Sequence, residues 1–292
     1  MISAKILAHS TSAFGEVVTF ELNYPRIIHA ELMTHRMFSR NAASSRAIPF
    51  DKMCQSIVTD MFTPIKFQKA HTGMQGNECY EGDELGDCRH AWQLAGRAAV
   101  IRAKDVSYRF KDQGGITKQL LNRMLEPYQY YKVIVTTSKP GLQNFFDLRI
   151  SEHAEIHIDN LAKRMEEVYL TSTPKALDSG EWHLPFAEHL PHNLPTITKL
   201  MVCIARCARI SYQCYGTNPV IDIAKDLKLF KRLYDQKHAS PFEHVAMAMS
   251  QQDADNNFVM EQGLVIPAVC RNFTGFIPAR VLFEDGSLDI TS

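Results

Sequence analysis

The chain contains 292 residues, 45% of them hydrophobic, which is enough to fill the core of one large domain or two small ones. Lys plus Arg and Asp plus Glu both total 32, so the net charge gives no general attraction to nucleic acid or to an anionic membrane. The N-terminal apolar stretch is too short for a signal peptide, no apolar run could span a bilayer, and the seven cysteines include no CxxC pair, so we expect a cytoplasmic protein.

The predicted elements indicate an α+β fold of mixed helices with a small antiparallel sheet. β-Branched and aromatic residues indicate strands, apolar spacings of three and four indicate helices, and glycine or proline clusters indicate loops. In chain order we predict a strand over 17–23, a helix over 27–33, a long loop over 63–86, helices over 89–110 and 117–125, a strand over 131–137, helices over 142–148 and 153–170, a connector over 174–195, helices over 200–210 and 221–237, and strands over 245–250 and 281–283.

The most informative stretch is residues 34–46, because it combines Arg, His, Ser and Asn with small residues. Arg forks match phosphate oxygens two at a time, Ser and Asn add neutral donors, and small side chains let a ligand approach the backbone. The stretch contains no glycine, so it is neither a P-loop nor a Rossmann turn. It predicts a cradle for a phosphate or nucleotide, and the alternative is a solvated basic loop.

Two later segments carry similar chemistry. Residues 238–244 place His238, Ser240, Glu243 and a second histidine around a proline that ends the preceding helix. This arrangement suits the rim of a ligand site, although a helix-ending turn that faces water has the same composition. One helix earlier, a second basic patch contains Arg206, Arg209, Ser211 and Tyr212. The alternative for this patch is a solvated helix face.

We predict no metal site. His153 and His157 are four residues apart and would share one face of the predicted helix, but Ala154 stands where an HExxH motif needs its glutamate. The spacing of Cys79 and Cys88 with their neighbouring histidines fits no standard ligand pattern. We expect the cysteines to be structural rather than nucleophilic.

Taken together, these segments resemble the flavin-dependent thymidylate synthases, whose signature is Arg-His-Arg followed after seven residues by Ser. His35 and Arg36, and then Ser44 and Arg46, match this signature. Three further blocks agree with the family: Ala-Arg-Ile-Ser-Tyr at 208–212, the segment 238–244, and Asn-Phe-Phe-Asp-Leu-Arg at 144–149.

The order of these blocks resembles a circularly permuted member of the family. In most members the counterparts of 208–212 and 238–244 precede the Arg-His-Arg segment, whereas here they follow it. Residues 17–20 and 245–249 both match the stretch that normally follows the second block, as if the junction were duplicated. We expect a single domain over residues 1–292, with an insertion at 50–89 and a C-terminal extension after 250.

The resemblance implies two neighbouring binding sites. The residues implied in binding FAD are His35, Arg36, Met37, Asp147, Arg149, His153, Ser211, His238, Ser240 and Glu243. The residues implied in binding a pyrimidine deoxynucleoside monophosphate are Glu31, Ala43, Ser44, Ser45, Arg46, Lys132 and Asp159. The residues implied in catalysis are Ser44, Arg46 and His238.

Several positions depart from the family pattern. Thr34 replaces the first Arg of the signature, Ala42 replaces a Glu near the substrate, and Ala47 replaces an aromatic residue. Lys132 stands where the family places an Arg on the substrate phosphate, and it would act as a point charge rather than a fork. Asp159 falls near the position where the family has an Arg that holds the pyrimidine ring. A carboxylate would better accept a hydrogen bond from the amino group of cytosine.

The resemblance implies reductive methylation of dUMP at C5 to dTMP, with FAD as cofactor and with methylenetetrahydrofolate and NADPH as co-substrates. It also implies a homo-oligomer, a tetramer in the family. The balanced charge and the lack of a long apolar run predict no nucleic-acid or membrane partner. One alternative is methylation or hydroxymethylation of another pyrimidine nucleotide such as dCMP. An alternative from another class is a nucleotide-binding protein without catalytic activity.

Overall fold

A five-stranded sheet forms the centre of the first part of the chain. The structure is a computed structural model that describes residues 1–72, 78–210, 222–256, 258–261, 264–267 and 271–288. The strands lie in the order β3-β4-β2-β1-β5, and every pair is antiparallel except β1 with β5. Their bounds are β1 Ser3–Ser12, β2 Gly15–Pro25, β3 Ser39–Ala42, β4 Tyr130–Ser138 and β5 Lys175–Ala176. The α+β prediction is confirmed, with one parallel pair that it did not include.

Two smaller sheets follow in the second part of the chain. One has the order β10-β7-β6 and the other is the hairpin β8-β9. Their bounds are β6 Trp182–His183, β7 Ala246–Ala248, β8 Phe258–Glu261, β9 Leu264–Pro267 and β10 Phe276–Pro278. The helices are α1 His29–Leu32, α2 Phe50–Thr59, α3 Gly82–Arg109, α4 Lys118–Arg123, α5 Lys139–Arg149, α6 Ile156–Leu170, α7 Thr196–Ala208, α8 Ile223–Asp235, α9 Gln251–Asn256 and α10 Ala279–Glu284.

The large sheet is covered on both faces. On one face Val18 and Phe20 of β2 belong to an apolar cluster with Phe145 of α5. On the other face Val17 packs in a cluster with Phe276 of β10. The C-terminal part of the chain is thereby packed against the sheet that the N-terminal part forms.

Two helices begin at other residues than the sequence predicts, each for a local reason. Helix α3 begins at Gly82 rather than at 89, and two acidic residues in its first turn favour that start. Helix α6 begins at Ile156 because the Glu155 side chain accepts hydrogen bonds from the first free amides, so His153 lies before the helix. The prediction of one helix face shared by His153 and His157 was therefore wrong.

The predicted strand over 281–283 was also wrong. These residues lie in α10, which follows Pro278 directly, and a proline just before a helix is well suited to start it. The predicted strands over 17–23 and 131–137 are confirmed as the centres of β2 and β4. The insertion at 50–89 and the extension after 250 stay predictions.

No helix in the described ranges is long and apolar enough to cross a membrane.

Candidate functional site

The loop between α1 and β3 carries the first half of the 34–46 cradle, and Arg40 fixes its shape. The Arg40 Nη1 atom donates hydrogen bonds to the carbonyl oxygens of Met33 and His35, over 3.0 and 3.1 Å. These carbonyls follow the end of a one-turn helix, where backbone oxygens need external donors. The sequence pointed to Arg40 as part of the cradle but not to this supporting role.

Arg149, the last residue of α5, connects three side chains of this loop region. Its Nε atom donates to His35 Nε2 over 2.9 Å, its Nη1 atom lies 3.3 Å from Glu31 Oε2, and its Nη2 atom lies 3.3 Å from Thr34 Oγ1. The structure thus brings together Arg149 and Glu31, which the resemblance had assigned to different ligands.

His35 is held in its neutral form. Burial, together with the positive charges of Arg149 and Arg40, lowers the His35 pKa to about 4. A neutral imidazole whose Nε2 accepts a hydrogen bond carries its proton on Nδ1. Burial and the nearby Glu155 raise the Glu31 pKa, against the opposing effect of Arg149.

A cavity of about 300 Å³, here called the His35 cavity, opens beside this cluster. Its walls combine donors with apolar surface, and its lining residues are Thr34, His35, Arg36, Met37, Gly141, Asn144, Leu148 and Arg149. Arg36 is exposed, and Met37 and Leu148 expose 37% and 57% of their surfaces. A Cβ atom at Gly141 would lie 2.5 Å from Thr137 Oγ1 and 3.0 Å from Met37 Cβ, so only glycine lets α5 approach the loop this closely.

A second cavity of about 300 Å³, here called the Lys132 cavity, lies between helix α2 and strands β2 and β4. Its wall includes Ala43 and Lys132 together with Glu21 and Tyr131. The Ala43 amide donates to the Lys132 carbonyl oxygen over 3.0 Å, which sets the two residues side by side. Lys132 Nζ lies 3.6 Å from Glu21 Oε1, so a ligand phosphate would compete with this carboxylate for the ammonium group.

The second half of the cradle is a turn that follows Ala43. The Arg46 amide donates to Ser44 Oγ over 3.3 Å, and the Arg46 side chain is exposed. The buried Asn122 amide group donates to the carbonyl oxygens of Ser45 and Ile48, over 2.9 and 3.0 Å. Asn122, which no motif indicated, therefore fixes the path of the turn.

The segment 238–244 lies beside β3, where Ser240–His244 forms a 3₁₀ turn. His238 and Ser240 are exposed, while Glu243 forms an ion pair with Arg280 and interacts electrostatically with Arg40. Two blocks that are distant in sequence thus meet at β3.

A chain of buried hydrogen bonds joins this turn to the large sheet. Thr136 Oγ1 is hydrogen-bonded to His244 Nδ1 over 2.8 Å and to Thr19 Oγ1 over 2.7 Å. Thr19 Oγ1 is bonded to His183 Nε2 over 2.8 Å, and His183 Nδ1 is bonded to Ser10 Oγ over 2.9 Å. Burial lowers the pKa values of His183 and His244 to about 3, so both rings are neutral. No motif in the sequence indicated this network, because its members come from separate segments.

Several predicted site residues lie away from both cavities. Asp147 is exposed and accepts a hydrogen bond from Gln143, and His153 is exposed in the turn before α6. Asp159 Oδ2 accepts a hydrogen bond from Lys163 over 2.7 Å, and Asp159 lines neither cavity. Ser211 lies outside the described residues.

Cys203 and Cys207 of α7 do not form a nucleophilic site. Burial raises the pKa of Cys203 to about 12 and that of Cys207 well above its ordinary value, so both thiols stay protonated. Within the described ranges, no three His, Cys, Asp or Glu side chains converge as metal ligands would.

A family model described as thymidylate synthase complementing protein (Thy1) matches residues 5–175, which is more than half of the chain. The chain belongs to this family. It is the flavin-dependent thymidylate synthase (ThyX) family that the motifs indicated, and its members are methyltransferases. The match to the Thy1 family ends before 208–212 and 238–244, so the permuted order of those blocks stays a prediction.

Solved structures show a weaker likeness to this Thy1 member, and no curated protein matches it. A UMP/dUMP methylase, PolB, from Streptomyces cacaoi bound with 5-Br UMP gives a TM-score of 0.44 at 17% identity, over 59% of this chain and 89% of that one. The same methylase bound with 5-Br dUMP gives a TM-score of 0.38 at 20% identity, over 53% of this chain and 66% of that one. Thymidylate Synthase X (ThyX) from Helicobacter pylori with FAD and dUMP gives a TM-score of 0.35 at 18% identity, over 52% of this chain and 67% of that one. The family assignment therefore depends on the family model rather than on these likenesses.

Proposed function

We propose that this protein methylates dUMP at C5 to give dTMP, with FAD as cofactor, methylenetetrahydrofolate as the one-carbon donor and NADPH as the reductant. The observation that carries the proposal is the bond between Arg149 and His35. It brings the signature segment and the 144–149 segment of this family around one cavity. The chemistry of hydride transfer belongs to the flavin, and the protein supplies binding, orientation and charge.

The residues of the His35 cavity fit one part of FAD. Arg36 and Asn144 offer donors suited to phosphate oxygens, and Met37 and Leu148 offer apolar surface suited to a ring. A volume of about 300 Å³ holds only part of a dinucleotide, so the rest must be bound elsewhere. We propose that a second subunit of a homo-oligomer, a tetramer as in the family, completes the site. His238, Ser240 and Glu243 would extend it along β3.

The nucleotide would bind between the turn after Ala43 and the Lys132 cavity. Arg46 and Lys132 would neutralise the phosphate, and Ser44 would donate a hydrogen bond to it. Holding the phosphate in this way fixes the distance of the pyrimidine from the flavin, and orientation of this kind lowers the barrier to reaction. Positive charge beside the ring would stabilise the negative charge that develops on it.

The departures from the family pattern at Ala42 and Asp159 make dCMP a second candidate substrate, with Asp159 outside the lining of both the His35 and the Lys132 cavities. Asp159 Oδ1 is buried, and no hydrogen-bond partner for it lies among the described residues, so it is an acceptor in need of a donor. The exocyclic amino group of cytosine is such a donor, whereas the corresponding position of uracil carries an acceptor.

The test is to load the purified protein with FAD and incubate it with methylenetetrahydrofolate, NADPH and either dUMP or dCMP. Mass spectrometry of the nucleotide product then identifies both the base and the added group. A methylated product from dUMP supports the proposal, and a methylated product from dCMP alone supports the second candidate. Nucleotide binding with no product from either substrate would contradict both and favour a non-catalytic binding protein.

A further inference from the structure

A third cavity, of about 440 Å³, lies between the end of α7 and helix α8. Four of its five described lining residues are cationic, namely Arg209, Lys225, Lys228 and Arg232, and the fifth is Leu229. This cavity, here called the α8 hollow, shares no described lining residue with the His35 or Lys132 cavities. Arg209 belongs to the basic patch that the sequence indicates, and the proposed methylation leaves it without a role.

The sequence of α8 produces this cationic wall directly. Lys225, Lys228 and Arg232 are spaced by three and four residues, so they share one face of the helix with Leu229. Phe230 lies on another face and packs in the apolar core of this region. The helix is therefore anchored by its apolar face, and its cations project into the hollow.

A buried carboxylate fixes the orientation of the cation from α7. Asp226 is 2% exposed, and its oxygens lie 3.1 Å from both Arg206 Nε and Arg209 Nη1. A guanidinium group held by a buried acid loses little conformational entropy when it binds a ligand. Arg209 is thus pre-organised at the wall of the hollow.

The cations of the hollow are only partly compensated. Lys225 pairs with Asp222 over 2.9 Å, and Arg209 pairs with Asp226. Lys228 and Arg232 have no carboxylate oxygen within 4 Å among the described residues. Like charges around one concave surface repel each other, and an anionic ligand would relieve that repulsion.

We propose that the α8 hollow binds a diphosphate group in addition to the FAD and dUMP that the proposed function requires. Two guanidinium forks and two ammonium groups exceed what a single phosphate needs, and the volume also exceeds that of a single phosphate. The same chemistry is offered by free pyrophosphate and by a nucleoside diphosphate. Leu229 supplies an apolar wall that only the nucleoside could use.

The test measures binding of inorganic pyrophosphate and of ADP by calorimetry, using protein saturated with FAD and dUMP so that both other sites are filled. The Lys228→Gln/Arg232→Gln variant removes two exposed cations of the hollow, and its folding is checked by circular dichroism. The matched control is Lys231→Gln, because Lys231 is exposed on the same helix, pairs with Asp235 and does not line the hollow.

We expect the double variant to bind pyrophosphate about tenfold more weakly, since it loses two charged contacts, and the control to bind it as the parent protein does. Tighter binding of ADP than of pyrophosphate, reduced by Leu229→Ser, would identify a nucleoside diphosphate as the ligand. Equal binding of the two probes would identify the diphosphate group alone. Failure of the saturated protein to bind either probe, or equal affinity in the double variant, would overturn the proposal. The Arg46→Gln variant separates the two proposals, because it would alter the dUMP site and leave the hollow unchanged.

Discussion

Arg149 Nε donates a hydrogen bond to His35 Nε2 over 2.9 Å, and this bond joins two segments that lie 114 residues apart in the sequence. The bond requires a neutral histidine, because a protonated imidazole has no acceptor nitrogen. The guanidinium group itself favours that state, since its charge contributes to the lowered His35 pKa. The two residues thus fix each other at the edge of the His35 cavity.

We expect Arg149→Lys to weaken FAD binding by about tenfold or more, because an ammonium group cannot reproduce a planar fork that contacts His35, Glu31 and Thr34 together. FAD titration followed by absorbance would measure the effect. The control is Arg164→Lys, since Arg164 is half exposed and pairs only loosely with Glu167, over 3.8 Å. Equal FAD affinity in the two variants would show that Arg149 has no part in the flavin site.

The sequence predicted the elements whose patterns are local. The strands over 17–23 and 131–137 were identified because β-branched residues repeat there, and their pairing as β2 and β4 follows in the structure. The strand predicted over 281–283 failed because its short apolar run has no period of its own, and Pro278 starts a helix there.

The candidate site was predictable where motifs carry it and not where long-range contacts build it. His35, Arg36 and Arg149 were identified from their blocks, and they do meet. The supporting roles of Arg40 and Asn122 depend on carbonyl oxygens whose positions only the fold defines. No local pattern specifies such contacts.

The buried network predicts a loss of stability in Thr136→Val. Valine fits the same volume in a strand, but it leaves Thr19 Oγ1 and His244 Nδ1 without their shared partner. We expect the free energy of unfolding to fall by about 1–3 kcal/mol, as for other buried groups that lose a hydrogen bond. Urea denaturation would measure it, with Thr59→Val as control because Thr59 is exposed and bonds only to carbonyl oxygens of its own helix. Equal stability of the two variants would argue against the network.

Lys132 and its neighbour Glu21 should affect dUMP binding in opposite directions. Lys132→Gln removes the ammonium group proposed to neutralise the phosphate, and we expect binding about tenfold weaker. Glu21→Gln removes the carboxylate that lies 3.6 Å from that ammonium group, and we expect tighter binding. Equilibrium dialysis with dUMP would measure both, with the exposed Lys52→Gln as control. A weaker affinity in Glu21→Gln would place the phosphate elsewhere.

The two buried histidines predict how stability changes with pH. Burial lowers the pKa values of His183 and His244 to about 3 in the folded protein, whereas an unfolded histidine titrates near 6.5. Between these values the unfolded chain binds more protons than the folded one, so the stability present above pH 6.5 is lost as the pH falls toward 3. Well below 6.5 the loss is about 1.4 kcal/mol per pH unit for each of these histidines. Urea midpoints measured between about pH 7 and pH 5 avoid the titration of ordinary carboxylates, and His29 and His35, whose pKa values are lowered to about 4, add to the slope in the same direction. We expect a smaller pH slope in His244→Gln, which cannot ionise, and an unchanged slope there would refute a neutral buried His244.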